Sequence, residues 1–205
     1  MKSIYYLSLV FFTASIVVSC QSTKAEESIE VANDLDGTTE SPEASTDLLP
    51  GWINFSNEDG GFSIQMPGTP QQSSVIEPTE VGDILIEMFM YEESVTKIYI
   101  VGYNDYPSEL FADATAKETR QTLDDVLMGA TSAVGLDIVE EEKMLDLDGV
   151  MGKMIKAKSS TNGYHAHYKA YMVNNRLYQI GIIRDGSYPM DEKSEKFFGS
   201  FTLDK

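Results

Sequence analysis

The chain has 205 residues, enough for one domain with a tail. Its 33 acidic residues outnumber 15 basic ones, and the resulting formal charge of −18 repels phosphate backbones, which argues against nucleic acid as a partner. Cys20 is the sole cysteine, so no intramolecular disulfide can form and the folded part must stand on packing.

The amino terminus reads as an export signal. Lys2 supplies a positive start, Ile4 to Val18 forms an apolar run, and the small residue Ser19 precedes Cys20. At ~1.5 Å per residue the run reaches only ~22 Å, short of the ~30 Å hydrocarbon layer, and no basic stop-transfer cluster follows. Val17-Val18-Ser19-Cys20 resembles the bacterial lipobox at all four positions. That resemblance implies a signal peptide over residues 1–19, removal at Ser19, and acylation of Cys20 as the mature amino terminus. The lipid bilayer is then a partner through the acylated Cys20, each buried CH₂ contributing about 0.8 kcal/mol. It also implies a place in the cell envelope, on the outer membrane facing periplasm or surface, with the inner membrane as the alternative.

Residues 20–50 read as a disordered acidic tether. Eight acids, from Glu26 to Asp47, stand against the single Lys24, and large apolar residues are too few to offset ordering entropy. Asp34, Asp36, Gly37 and Glu43 fall at the spacing of positions in a calcium-binding EF-hand loop. Ala32 occupies the first ligand position and no apolar helix flanks the run, so the match reads as chance in an acidic linker.

A domain is expected over residues 51–205. Trp52, Ile53 and Phe55, then Phe62, Ile64 and Met66 across a Gly60-Gly61 turn, predict two short strands. Pro67-Gly68-Thr69-Pro70 halts pairing, and Ile84 to Tyr91 with Lys97 to Tyr103 predicts a strand pair. Between Pro107 and Gly129 the spacing of Leu110, Phe111, Ala114, Leu123, Val126, Leu127 and Ala130 predicts the main helix, with Ser108 as its N-cap. Its solvent face would carry Lys117, Glu118, Arg120, Asp124 and Asp125.

Asp148-Gly149, Asn162-Gly163 and Asn174-Asn175 have the composition of two-residue hairpin turns. They join Ile138 to Leu147, Val150 to Ser160, Tyr164 to Val173 and Arg176 to Arg184 into a meander, with a final helix after Pro189 packing Phe197, Phe198 and Phe201. Counting from those turns, Ala157 faces Tyr168 and Ile155 faces Ala170 on one side, while Tyr171, Tyr178, Ile180 and Ile182 point to the other. A sheet apolar on both faces needs cover on both, which predicts an α+β fold: an α/β/α sandwich around a central antiparallel sheet.

Phe55 to Pro70, Lys97 to Pro107, Asn174 to Ile183 and Phe197 to Leu203 together resemble the PsbP-like superfamily, in this order along the chain. The resemblance implies a central antiparallel sheet between helices. Characterised members include an extrinsic photosystem subunit and a Ran-binding nuclear protein, which implies binding or assembly without catalysis. At Pro67-Gly68-Thr69-Pro70 the sequence departs from the photosystem type, so no photosystem role is carried over.

Chemistry-bearing motifs are sparse. Neither a Gly-x-Ser-x-Gly elbow nor a second cysteine is present, and the glycine fingerprints of dinucleotide and phosphate binding are missing, so no catalytic residue and no cofactor is expected. His165 and His167 lie two apart on a strand and project from one face, a candidate metal pair. In the counted register His167 faces Lys158 and Ile182, His165 faces Ser160 and Arg184, and Lys156 and Lys169 share their face. Those cations disfavour a metal. Glu140-Glu141-Glu142 reads as a solvated run balanced by Lys156 across the hairpin, and Tyr99, Tyr103, Tyr106, Tyr164, Tyr168, Tyr171 and Tyr178 read as core packing. The expectation is a non-enzymatic binding or assembly module with an envelope protein partner. The alternative is a small-ligand or metal carrier using the face around His165 and His167.

Overall fold

A computed structural model describes residues 48–79 and 82–204. The signal peptide, Cys20 and the EF-hand-like Asp34, Asp36, Gly37 and Glu43 lie outside the described residues.

Ten strands form two antiparallel sheets, and only two α-helices accompany them among the described residues. The hairpin β1 (Ile53–Asn57) and β2 (Phe62–Met66), with β10 (Thr202–Leu203) on the other side of β2, makes a three-stranded sheet. The second sheet has seven strands. From edge to edge these are β3 (Gln71–Thr79), β4 (Gly82–Ser94), β5 (Lys97–Asp105), β9 (Arg176–Asp185), β8 (Tyr164–Val173), β7 (Val150–Lys158) and β6 (Ile138–Leu147).

This corrects the expected α+β fold and its α/β/α sandwich: the described residues are mostly β. Both faces of the large sheet are apolar, as counted, but a helix covers only one of them alone. Helix α1 (Ala116–Ala133) lays Leu123, Val126, Leu127 and Ala130 near Ile155, Ala157, Ala166 and Tyr168. The opposite face, with Phe89, Tyr99, Val101, Tyr178, Ile180 and Ile182, is covered by the small sheet together with α2 (Glu192–Gly199). The amino-terminal hairpin supplies that cover because Trp52, Phe62, Ile64 and Met66 are all buried, a larger apolar payload than an eight-residue helix can carry. Hydrogen bonds from the Tyr178 hydroxyl to Gly60 O (2.7 Å) and from Arg176 Nη1 to Asp59 O (2.7 Å) fasten the hairpin turn to the large sheet.

Helix α1 begins later than the periodicity suggested. Ser108 opens only a three-residue 3₁₀ turn, and the N-cap is Thr115, whose hydroxyl accepts from Glu118 N (3.3 Å) while Glu118 Oε2 accepts from Thr115 N (2.8 Å). This reciprocal capping box satisfies two helix-end donors. Thr115→Ala is therefore expected to lower stability by about 1 kcal/mol, read as a shifted urea midpoint with unchanged slope.

The Asp148-Gly149 turn forms as predicted, with φ of 52° and 88°, and pairs Leu147 with Val150. Asn174 takes φ 54° and pairs Val173 with Arg176. Asn162-Gly163 departs from expectation. There β7 stops at Lys158, Ser159 N donates to Tyr164 O (2.8 Å), and Ile155 pairs with Tyr168 rather than Ala170. The register is displaced by two residues, and because side chains alternate with period two every residue keeps its expected face. Two glycines lie under aromatic rings in this region. A Cβ on Gly181 would overlap the Tyr168 ring and one on Gly152 the Tyr171 ring, so both cross-strand pairs depend on the missing side chain.

Candidate functional site

On the face of β8 that carries the two histidines, the displaced register changes their neighbours. His167 lies opposite Lys156 rather than Lys158, and His165 opposite Lys158 rather than Ser160, while Ile182 and Arg184 flank them on β9 as counted. The acidic run on β6 answers the lysines of β7: Glu141 pairs with Lys156 (2.6 Å), Glu142 with Lys153 (2.6 Å), and Glu140 with Lys158. Lys153, buried on the opposite face, also meets Asp124 of α1. The run is thus a ladder of ion pairs, wider than the single Lys156 contact expected.

The two imidazoles are held by different surroundings. His165 Nδ1 lies 2.9 Å from Gly163 O, and its ring stands edge-on to Tyr188 at 4.8 Å between centroids. Burial, with the Glu140 carboxylate nearby, raises the Tyr188 phenol to about 12. The His167 ring packs on Phe198 at 4.3 Å, and its Nε2 is buried without a hydrogen-bond partner. Burial first, then the Lys169 and Lys156 ammonium groups, pull His167 down to about 4 from 6.5, so it is neutral at pH 7. No group of three or more His, Cys, Asp or Glu side chains suited to a metal ion comes together among the described residues.

Beside His167, the third residue of the same strand face was noted in the sequence only as a neighbouring cation. Lys169 has Met154 and Ile180 as cross-strand partners, so no acid stands opposite it. Its ammonium lies 4.9 Å from the centre of the Phe198 ring, and burial lowers its pKa. His167 and Lys169 form one side of a cleft of about 240 Å³, closed by Pro189 and Met190 ahead of α2 and by Ser194, Glu195, Phe198 and Gly199 on it. Sequence reading missed this cleft because it joins a strand to a helix whose docking is set by Phe197, fully buried against Tyr99 two strands away (5.1 Å). The alternation His165, His167, Lys169 was the available clue.

Five of the seven tyrosines read as core packing are buried: Tyr99, Tyr106, Tyr168, Tyr171 and Tyr178. Tyr103 is half-buried beneath the Arg176 guanidinium, and Tyr164 is exposed.

At the other end of the large sheet, β3 was not anticipated. Its sequence, QQSSVIEPT, is polar and contains Pro78, features that suit only an edge strand. Its inner side pairs with β4 over nine residues, and its outer side pairs with no other described strand. Ile76 and its partner Leu85 are 65% and 50% exposed on the same face, with Val75 also exposed. No described helix is long and apolar enough to cross a membrane.

No family model matches the chain, and no curated protein matches it. Among solved structures, the chain is similar to cyanobacterial PsbP (CyanoP) from Synechocystis sp. PCC 6803, with 12% identity and a TM-score of 0.52, over 80% of this chain and 98% of that one. A protein from Bacteroides thetaiotaomicron VPI-5482 aligns with a TM-score of 0.35 at 11% identity, over 74% of this chain and 48% of that one. The first of these likenesses shows the fold alone: the chain has a PsbP-like fold.

Proposed function

We propose that this is an envelope lipoprotein whose folded part is a non-catalytic binding or assembly module, and that it docks a protein partner along β3. The observation that carries the docking is the outer edge of β3, which pairs with no other described strand, beside the exposed apolar pair Ile76 and Leu85. An open strand edge offers a row of backbone donors and acceptors to an extended segment of another chain, and apolar side chains beside it add area. The PsbP-like fold supports a binding role by analogy alone. Anchoring rests on the lipobox-like Val17-Val18-Ser19-Cys20, and the acidic tether over residues 20–50 would hold the domain away from the bilayer.

The experiment is site-specific crosslinking in the native envelope. A photoreactive residue in place of Ile76 is expected to capture a discrete protein, one in place of the exposed Met128 on α1 to capture none, and Leu85→Asp to abolish the Ile76 product. Equal capture from both positions would overturn the docking surface. In the same cells Cys20→Ala is expected to move the protein from the membrane fraction to the soluble fraction, and membrane retention of that variant would overturn the anchor.

A further inference from the structure

Most charges on β7 and β9, the strands that flank β8, are answered. Lys153, Lys156 and Lys158 each meet a glutamate of β6, and Arg184 meets Asp191 at 3.3 Å. Lys169 is the exception on this face: its side chain is half-buried, and no described carboxylate lies within ion-pairing distance of its ammonium. A half-buried cation without a counter-ion is unfavourable unless something supplies the charge. In a chain of formal charge −18 it is also a local inversion of sign.

The surroundings narrow what could supply it. The cleft of about 240 Å³ lies just below the usual range for drug-sized ligands. Lys169 stands at one side, with the neutral His167 next to it. With its proton on Nε2, that imidazole donates one hydrogen bond, and its Nε2 is buried without a partner. The lining also holds the apolar Phe198, Pro189 and Met190, and Glu195 on it opposes a second negative charge. One cation, one neutral donor and these apolar side chains match a monoanion with an apolar body better than an inorganic dianion. Lys169 over the Phe198 ring keeps its ammonium beside them, so charge and apolar surface are presented together.

We propose that the cleft between β8 and α2 is a binding site for a small organic carboxylate bearing an apolar substituent, held by Lys169 and His167 and packed on Phe198. The site does not depend on the β3 edge, at the far end of the same sheet. Neither proposal rests on the other.

The full chain contains two histidines, so selective ¹³C labelling of histidine gives two imidazole signals. The intact protein in detergent micelles is titrated with 3-phenylpropionate, its neutral amide, and inorganic phosphate. The carboxylate is expected to shift the His167 signal saturably, with the amide and phosphate at least about tenfold weaker. Lys169→Gln is expected to weaken the carboxylate response by about tenfold or more. Lys169→Met, which keeps the stem packing, serves if the glutamine variant displaces the His165 signal and so disturbs the fold. No saturable shift, an equal response to phosphate or to the amide, or an unchanged response in a folded Lys169 variant would each overturn the proposal. Ile76 crosslinking in the native envelope reports separately on the docking surface.

Discussion

Truncation of Phe62 to alanine is expected to cost about 3–5 kcal/mol. Phe62 is fully buried at the start of β2 and its ring lies near Phe55 of the small sheet at 6.1 Å, Phe89 and Tyr178 of the large sheet each at 6.2 Å, Tyr103 of the large sheet at 6.3 Å, and Phe201 ahead of β10 at 5.8 Å. Several of these pairs are edge-on, and each such pair adds about 0.5–1.5 kcal/mol beyond burial. Deleting the ring leaves a cavity between two rigid sheets, which cannot collapse as a loop would. Urea unfolding is the measurement, and Phe62→Leu, which refills much of the space, is expected to lose about 1 kcal/mol. A loss under about 1 kcal/mol for the alanine variant would mean that the small sheet contributes little to stability.

The second large effect is electrostatic. Asp191 is expected to stabilise the fold by about 2–3 kcal/mol, because it caps α2 and serves a buried cation at once. Its Oδ1 accepts from Ser194 N (2.9 Å) and Ser194 Oγ (2.6 Å), and both oxygens meet the ammonium of Lys97, which is 6% exposed. Burial alone would raise the Asp191 pKa, but the Ser194 hydroxyl and amide and then the Lys97 ammonium outweigh it and bring the carboxyl from 3.8 to about 2. A folded-state pKa below the unfolded one means that the unfolded chain binds more protons between them. The contribution is therefore present above about pH 4 and fades as pH falls toward 2.

His167 acts in an earlier window. Its imidazole faces Lys156, paired to Glu141, on β7, Lys169 on β8, and the ring of Phe198 with Glu195 on α2. Held near 4 against 6.5 unfolded, it contributes stability that is full above pH 6.5 and declines between 6.5 and 4. Unfolding free energies measured across pH should separate the two. Asp191→Ala is expected to flatten the curve only below about pH 4, and Asp191→Asn, which can still cap α2, is expected to retain about 1 kcal/mol of the lost stability. An alanine variant with an unaltered acid limb would show that Glu93, 3.6 Å from the Lys97 ammonium, suffices for it.

What the sequence disclosed follows from how local each determinant is. Asp148-Gly149 and Asn174-Asn175 set their own backbone, so the pairings they fix came out as counted, and with them the two apolar faces of the meander. Asn162-Gly163 looked the same but sits in a longer loop, because Ser159 Oγ accepts from the amides of Thr161 and Asn162 (both 3.3 Å) and closes a wider turn. The helix start was misplaced because apolar spacing from Leu110 to Ala114 imitates a first turn, although Thr115-x-x-Glu118 stood in the sequence as a capping-box signature. The class was misjudged for a different reason. Alternation in Phe62, Ile64 and Met66 revealed a strand but not what it would cover, since the partner surface on β4, β5 and β9 is assembled from distant segments. Among candidate site residues, the histidine pair and its cationic surroundings were readable from strand periodicity. The exposed β3 edge was hidden behind a polar, proline-containing stretch.

The two borders of the large sheet differ in character. One bears Glu140, Glu141, Glu142, Lys143 and Asp146 along β6, and the other carries a single charge, Glu77, along β3. A second chain added beside β6 would have to accommodate that charged row and its ion pairs, whereas β3 sets no such requirement. A sheet open on one flank alone offers an added strand a single place to pair.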